Sequence, residues 1–320
     1  MIELSEIRDA ADRLKGRIHK TPLLSSRLLG EEVGVELHLK CENLQKTGSF
    51  KPRGALNIVL SLGEQERAAG LITVSAGNHA QAVAWASQSV GAPCVVVMPT
   101  DAPKSKIDAV RGYDAEIVFH DDRNTLFDKL HQVEEERGMK FVHPFDDRVG
   151  LAGAGTVGLE IVEQFPDVEA VIVPLGGGGL LGGVTCAVKA LRPNCLVFAV
   201  ELEEGPGMQP ALQAGKPVPV TRPAKTIADG LTPPFVGALP LEITRKRVDA
   251  VVGVSEAAIV EGMKWLLTRA KLYTEGAGAA AIGALMSRAI QLAKNKKVVA
   301  IVSGGNVDAD RFCSLLTAGT

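Results

Sequence analysis

Short runs of apolar, mostly β-branched residues alternate with longer segments of helical periodicity along most of this 320-residue chain. Each run is nearly all apolar, as in parallel strands that helices cover on both faces. This repeated order predicts a doubly wound α/β fold with mostly parallel sheets, and about 150 residues per domain predicts two domains. The predicted strands are 71–75, 94–98, 115–119, 140–143, 170–175, 196–201, 249–254 and 298–303.

The charge balance favours a small-molecule partner. The net charge is −2 and no block of five like charges occurs, so we expect no binding to nucleic acid or to an anionic membrane. The first residues lack the apolar core of a signal peptide, and no run of about 18 apolar residues occurs, which predicts a cytoplasmic protein. Without a CxxC pair, the scattered cysteines are expected to be reduced thiols: Cys41, Cys94, Cys186, Cys195 and Cys313.

Glycine is enriched, with 34 residues or roughly one in nine, and the segment GGGGLLGG at 176–183 is its densest run. That segment follows the predicted strand 170–175 and opens a predicted helix, so its N–H groups and the helix N-terminus predict a phosphate site. The alternative is a tight strand-to-helix turn. Gly177, Gly179 and Gly182 also match GxGxxG, with Glu201 19 residues further on, which keeps a nicotinamide dinucleotide site open.

Lys51 is the candidate nucleophile. It stands directly before Pro52, a residue suited to the first turn of a helix. The positive helix end, together with burial, would lower the pKa of its ammonium group and give a usable amine. Taken alone, Lys51 would more simply be a solvated surface lysine.

Two further strand ends carry polar groups. The first is a predicted strand-to-helix turn that offers N–H groups to a carboxylate and consists of Ser75, Ala76, Gly77, Asn78 and His79. Taken alone, Asn78 and His79 would be interpreted as helix-capping residues. Ser303 closes the last predicted strand at a glycine turn, where open α/β sheets bind ligands.

In combination, these segments resemble the fold-type II pyridoxal 5'-phosphate enzymes, specifically the threonine dehydratase and serine racemase branch. The resemblance runs in family order through KTGSFKPRGA, SAGNHAQAVA, GLAGAGTVGLEI, VPLGGGGLLGG, TIADG, TEGAGAAA and SGGNVD. It implies a tryptophan synthase beta-like fold. It also implies a large cofactor-binding domain of residues 1–67 and 148–320 and a small substrate-carboxylate-binding domain of residues 68–147.

Carried over by motif, the resemblance implies that Lys51 binds the cofactor and later moves the substrate α-proton. Phe50 would pack against the cofactor ring, Asn78 would hydrogen-bond its phenolic oxygen, and Ser303 would face its ring nitrogen. The phosphate would be held by Gly176, Gly177, Gly178, Gly179 and Leu180. The substrate carboxylate would be bound by Ser75, Ala76, Gly77, Asn78 and His79.

Departures from the family pattern favour dehydration. Racemases of this branch carry a second serine where this chain has Ala76, and a methyl group cannot carry a proton. Phe145 stands where racemase-like and hydroxyaspartate-specific members tend to have Asn, which implies a less polar side-chain pocket. A Mg²⁺ or Ca²⁺ site would use Glu201 and the Gly205 carbonyl, but Gly207 replaces the expected aspartate. Glu275 lies near the cofactor in relatives, or caps a helix.

The sequence therefore predicts a pyridoxal-phosphate-dependent L-threonine/L-serine ammonia-lyase that gives a 2-oxo acid and ammonia. It would act on a small hydroxy amino acid in amino-acid metabolism such as isoleucine biosynthesis, as a homodimer or homotetramer without a regulatory domain. The alternatives are a serine racemase, a dehydratase for phenylserine or hydroxyaspartate, a non-catalytic binding relative, and, from a different class, an NAD-dependent dehydrogenase.

Overall fold

The computed structural model describes residues 1–223 and 225–317 and contains two β-sheets flanked by helices. The strands are β1 (Leu23–Ser25), β2 (Glu36–Cys41), β3 (Leu71–Val74), β4 (Cys94–Pro99), β5 (Glu116–His120), β6 (Lys140–Phe141), β7 (Ala170–Pro174), β8 (Leu196–Leu202), β9 (Ala250–Val254) and β10 (Lys297–Val302).

The helices alternate with these strands. They are α1 (Leu4–Leu14), α2 (Arg27–Val33), α3 (Lys51–Ser61), α4 (Glu64–Ala69), α5 (Asn78–Gln88), α6 (Lys104–Arg111), α7 (Leu126–Arg137), α8 (Arg148–Gln164), α9 (Gly179–Leu191), α10 (Met208–Ala214), α11 (Ala238–Arg247), α12 (Glu256–Trp265), α13 (Gly276–Met286) and α14 (Ala309–Thr317). Short 3₁₀ turns lie at Glu42–Leu44, Lys46–Gly48, Arg123–Thr125 and Asp229–Leu231, and a π-helical turn at Leu266–Ala270 follows α12.

The six-stranded sheet has the order β1-β2-β10-β7-β8-β9, and its strands are parallel except for β1, which pairs antiparallel with β2. The chain moves outward from β7 through β8 to β9 and returns to place β10 on the other side of β7. The winding direction therefore reverses between β7 and β10. Ligands of open α/β sheets bind at the carboxyl ends of the strands at such a reversal.

The four-stranded sheet has the order β5-β4-β3-β6 and is parallel throughout. The chain moves from β3 to β4 and β5 and then places β6 on the other side of β3. A second reversal therefore lies between β3 and β6, whose carboxyl ends lead into Ser75 and His143.

All eight strands predicted from apolar runs are present, which confirms the α/β class and the mostly parallel sheets. Two strands escaped the sequence analysis, β1 and β2. β1 is only three residues long, and β2 reads ELHLKC, in which polar residues interrupt the apolar pattern. The four-stranded sheet lies within the predicted small domain, and the boundaries of the two domains stay a prediction.

Glycine has a second use that the sequence analysis did not anticipate: it lets helices pack closely. A Cβ on Gly153 of α8 would lie 2.3 Å from the Arg53 carbonyl oxygen of α3, and one on Gly183 of α9 would lie 2.3 Å from the Leu151 carbonyl oxygen of α8. These contacts fix α3 and α9 against α8. Both helices begin at the candidate site, so close packing positions their first residues.

No helix in the described part of the chain is long and apolar enough to cross a membrane. Cys41, Cys94, Cys186 and Cys195 are buried and Cys313 is exposed, and none of these thiols forms a disulfide.

Candidate active site

Lys51 lies between the two sheet reversals. Its Nζ donates a 2.7 Å hydrogen bond to the carbonyl oxygen of Pro144, which follows β6, while α3 begins at Lys51 itself. Burial lowers the pKa of the amine to about 8, although the negative charge of Glu275 raises it. The lysine is thus a partly deprotonated amine near neutral pH, as expected from its setting at a helix start.

The turn before Lys51 is joined to the end of β10. Phe50 N–H donates to the Ser303 carbonyl oxygen at 3.1 Å, and Gly305 N–H donates to the Gly48 carbonyl oxygen at 2.8 Å. Ser303 is buried, and its hydroxyl has one long contact of 3.4 Å, to the Ala277 carbonyl oxygen. These contacts bring Phe50, Lys51 and Ser303 together, although 252 residues separate Lys51 from Ser303 in the sequence.

The glycine loop follows β7 and ends at the N-terminus of α9. Gly178 is left-handed at φ +95° and precedes α9 without a side-chain cap, so the first N–H groups of α9 have no intrahelical acceptor. A Cβ on Gly177 would lie 2.2 Å from Phe145 Cγ, and one on Gly176 would lie 2.3 Å from the Gly230 carbonyl oxygen. Only glycine fits these positions, and the uncapped N–H groups suit an anion.

The 75–79 turn connects β3 to α5, and α5 begins after Gly77 without a side-chain cap. Ser75 Oγ accepts a 3.1 Å hydrogen bond from Gly77 N–H. The buried ring of His79 contacts the carbonyl oxygen of Val142, the residue after β6, through Nε2 at 3.0 Å. The role of His79 in binding a carboxylate stays a prediction, and its backbone N–H lies in the turn.

Asn78 connects the 75–79 turn to the elements of the six-stranded sheet. Its Nδ2 donates to Glu275 Oε1 at 2.5 Å, and its Oδ1 accepts from Asn306 Nδ2 at 2.8 Å. Asn306 also donates to the Thr47 carbonyl oxygen at 2.7 Å. Asn78 thus has a fixed amide orientation with one N–H left over. Glu275 is the residue before α13, where its side chain makes no capping hydrogen bond and instead contacts Asn78.

An uncharged aromatic wall stands beside Lys51, formed by His143, Phe145 and Phe235. The ring centroid of Phe145 lies 4.9 Å from that of His143 and 5.4 Å from that of Phe235. Burial lowers the pKa of His143 to about 4, and its Nδ1 accepts hydrogen bonds from the N–H groups of Phe145 and Asp146. Of the described residues that line the cavity here, Lys51 is the sole lysine or arginine.

A buried charge network joins α3 to α8 and to the segment before α3. The Arg53 guanidinium forms paired hydrogen bonds with Glu42, at 2.7 and 2.8 Å, and with Glu160, at 2.7 and 3.0 Å. Lys40 Nζ also bonds Glu160, at 2.5 Å. Burial alone would lower the pKa of Arg53, but the two carboxylates raise it above its ordinary value.

Glu201, the carboxylate of the expected cation site, accepts backbone hydrogen bonds at the start of a helix in this structure. Both oxygens of the buried Glu201 accept backbone hydrogen bonds, from Gly207 and Met208 at 2.9 and 2.7 Å and from Gln209 at 3.2 Å. The carboxylate therefore caps α10. No group of three or more His, Cys, Asp or Glu side chains that could hold a metal occurs among the described residues. The Mg²⁺ or Ca²⁺ site at Glu201 and Gly205 stays a prediction.

Sequence reasoning missed two groups at this site. The Pro144 carbonyl that accepts from Lys51 carries no side-chain signal, but it lies just past a predicted strand end, where ligands bind. Asn306 stood within the SGGNVD motif, yet only its contacts with Asn78 and Thr47 give it a role.

The residues present fit pyridoxal phosphate. An amine that is partly neutral would bind an aldehyde, and the uncapped N–H groups after the glycine loop would receive a phosphate. The weakly bonded Ser303 hydroxyl would pair with a ring nitrogen, and Phe50, whose ring centroid lies 5.1 Å from Lys51 Nζ, offers an aromatic face.

Comparison with known proteins agrees with this geometry. Residues 14–304 match the family described as pyridoxal-phosphate dependent enzyme. The chain is 43% identical over 316 residues to the catabolic L-threonine dehydratase TdcB of Escherichia coli, covering 98% of this chain and 96% of that protein. It is 42% identical to the L-threonine ammonia-lyase of Thermotoga maritima, covering 100% of this chain and 79% of that protein.

Among solved structures, maize serine racemase superposes with a TM-score of 0.92 at 36% identity, covering 98% of this chain and 96% of that one. The match extends through both sheets and every segment of the candidate site. The chain belongs to the pyridoxal-phosphate-dependent enzymes of fold-type II.

Proposed function

We propose that this protein is an L-threonine/L-serine ammonia-lyase. It eliminates water across Cα and Cβ, and one water then hydrolyses the resulting enamine, by way of its imine, to a 2-oxo acid and ammonia. The observation that carries the proposal is the Lys51 amine, whose pKa burial lowers to about 8, at the meeting point of the two sheet reversals. Relatives of about the same length are named for the same reaction, which supports the choice of substrate.

We assign the cofactor to residues of the six-stranded sheet and its loops. Lys51 would hold pyridoxal phosphate, Phe50 would pack on its ring, and Ser303 would face the ring nitrogen. Gly176, Gly177, Gly178, Gly179 and Leu180 would hold the phosphate with backbone N–H groups. When bound, the cofactor supplies an electron sink for the bonds at the substrate Cα.

The reaction requires a proton to leave Cα and hydroxide to leave Cβ. The freed Lys51 amine is the base that we assign to the first step, since a neutral amine of lowered pKa accepts a proton near neutral pH. The substrate carboxylate would be bound by the 75–79 turn, that is by Ser75, Ala76, Gly77, Asn78 and His79. Asn78 would also donate its remaining N–H group to the phenolic oxygen of the cofactor.

The aromatic wall supports a substrate with a small, uncharged side chain. A methyl group would pack against Phe145, which is 8% exposed, and against Phe235. A second carboxylate, as in hydroxyaspartate, would lie against these uncharged rings, and burying a charge without a partner is costly. The wall therefore favours threonine and serine over hydroxyaspartate.

Racemisation needs a proton donor on the face of Cα opposite Lys51. Ala76 lies in the turn where the serine of racemases would stand, and its methyl group cannot donate a proton. We therefore expect elimination to dominate, and we expect Ala76→Ser to raise the ratio of racemisation to elimination. An unchanged ratio would count against this reading of the turn.

The test is a substrate panel with the purified protein and pyridoxal phosphate. Release of 2-oxo acid is measured from L-threonine, L-serine, phenylserine and threo-3-hydroxyaspartate, with and without Mg²⁺. We expect turnover of threonine and serine, slower turnover of hydroxyaspartate, and no effect of Mg²⁺. The proposal fails if the protein binds the cofactor but releases no 2-oxo acid from either threonine or serine.

A further inference from the structure

An ion pair joins the helices of the four-stranded sheet to a loop of the six-stranded sheet beside the candidate site. Lys106 in α6 donates to Asp229 in the 3₁₀ turn 229–231, with 2.6 Å between Nζ and Oδ2. The two residues are 123 positions apart. The Lys106 side chain is 19% exposed and that of Asp229 is 45% exposed, so the lysine end is the more enclosed of the two.

The Lys106 end of the pair lies against the 75–79 turn. A Cβ built on Gly77 would be 4.0 Å from Lys106 Nζ and 4.0 Å from Ser75 Oγ. The ammonium group therefore flanks the turn that we assign to the substrate carboxylate.

The Asp229 end lies against the glycine loop and the start of α13. The carbonyl oxygen of Gly230 would be 2.3 Å from a Cβ on Gly176, and a Cβ on Gly230 would lie 3.0 Å from Ala277 Cβ. The turn that carries Asp229 is thus packed between the loop assigned to the phosphate and the helix that follows Glu275.

Both charges also act on Glu275. The pKa of Glu275 is raised to about 7, first by burial and then by the charge of Asp229, while the charge of Lys106 acts to lower it. Glu275 accepts a hydrogen bond from Asn78 in the 75–79 turn. Both charges of the ion pair therefore act on a residue that already contacts this turn.

We propose that Lys106 and Asp229 are positioning residues, whose ion pair holds the 75–79 turn against the glycine loop so that substrate carboxylate and cofactor phosphate are bound at a fixed separation. The proposal rests on the proposed function, which assigns those two groups. Half-exposed ion pairs add little to folding stability. Where an ion pair holds two segments in the arrangement that binds substrate, its loss lowers the fraction of protein in that arrangement, and apparent affinity falls with that fraction.

The first test compares Lys106→Met with Lys104→Met. Lys104 lies in the same helix, is 87% exposed and pairs only with Asp108 within α6, so it is a matched control. For Lys106→Met with L-threonine we expect KM to rise about three- to fivefold, with a smaller change in kcat and an unchanged melting temperature. Equal KM values for the two variants would overturn the proposal.

A double-mutant cycle separates the pair from the individual side chains. Lys106→Met, Asp229→Asn and the double variant are compared by KM for L-threonine. If the residues act through one ion pair, the double variant has about the same KM as either single variant; if the effects of the two substitutions multiply instead, the residues act independently and the proposal fails.

Hydrogen exchange gives a readout that does not depend on turnover. In the cofactor-loaded protein without substrate, amides of residues 75–88 are expected to exchange faster in Lys106→Met than in Lys104→Met. If the unmodified protein releases no 2-oxo acid, the proposed function fails while exchange still tests the ion pair. If it is active and exchange is equal in both variants, the ion-pair proposal alone fails.

Discussion

Two basic side chains at the start of α3 have pKa values that are shifted in opposite directions. Lys51 and Arg53 are separated by one residue at the start of α3, where Arg53 is fully buried and Lys51 is partly buried. Lys51 has one hydrogen-bond acceptor, the Pro144 carbonyl oxygen, and burial lowers its pKa to about 8. Arg53 is held by both oxygens of two carboxylates, Glu42 and Glu160, which raise its pKa.

The difference shows how one short segment can provide both a reactive group and a structural one. A buried cation with carboxylate partners stays charged and links the elements that carry those partners. A buried cation without a close carboxylate gives up its proton more easily. Arg53 joins α3 to the segment before it and to α8, and this fixes the helix start from which Lys51 extends.

The largest expected effect comes from removing the reactive cation. Lys51→Ala should lower 2-oxo acid release from L-threonine by more than the ~10²–10⁴-fold that a positioned base contributes, because attachment of the cofactor is lost as well. The melting temperature should stay within a few degrees, since Lys51 has a single protein acceptor. Lys104→Ala is the control and should keep full activity; activity of Lys51→Ala above a tenth of that control would contradict the assignment.

Removing the structural cation should act on stability instead. Arg53→Met leaves Glu42 and Glu160 buried without their main partner, which is expected to lower the free energy of unfolding by about 3–5 kcal/mol. Urea unfolding of the apo-protein measures this change in the free energy of unfolding. Arg27→Met is the control, because Arg27 is 81% exposed and its pair with Glu31 lies on the surface, so its effect should be within about 0.5 kcal/mol. Equal losses in the free energy of unfolding for Arg53→Met and Arg27→Met would show that the buried Arg53 network stabilises the fold no more than a surface ion pair does.

The smallest expected effect is a change in pH dependence. The rate at which pyridoxal phosphate attaches to the apo-protein should rise with pH through about 8 and then level off, because the neutral Lys51 amine is the nucleophile. The charge of Glu275 raises the pKa of Lys51, so Glu275→Gln should move this inflection to lower pH. Attachment is followed by the absorbance of the bound cofactor.

Glu163→Gln provides the control for this profile. Glu163 is 66% exposed and pairs with Lys20 on the surface, so its inflection should match that of the unmodified protein. A shift of the Glu275→Gln inflection to higher pH would show that Glu275 does not raise the pKa of Lys51.

Sequence reasoning identified the strands because parallel strands buried on both faces need unbroken apolar runs. It predicted the ligand-facing turns from glycine, which a turn needs where backbone comes close to an anion, as proposed at 176–179. It failed for β2, whose polar residues obscure a strand that includes Lys40. It did not show that Glu201 caps α10, because a capping carboxylate and a cation-binding one look alike until the backbone N–H groups around it are located.

The sequence by itself determined the α/β class and the order of the strands along the chain. It also led to the proposal that Lys51, the glycine loop and Ser303 form the cofactor site. Only the tertiary structure decided which charges meet. The pKa of Lys51 depends on its burial and on the charge of Glu275, and the pKa of Arg53 depends on carboxylates from two other segments. Such electrostatic effects depend on distance and burial, which are set by how the two sheets and their helices pack and not by local sequence.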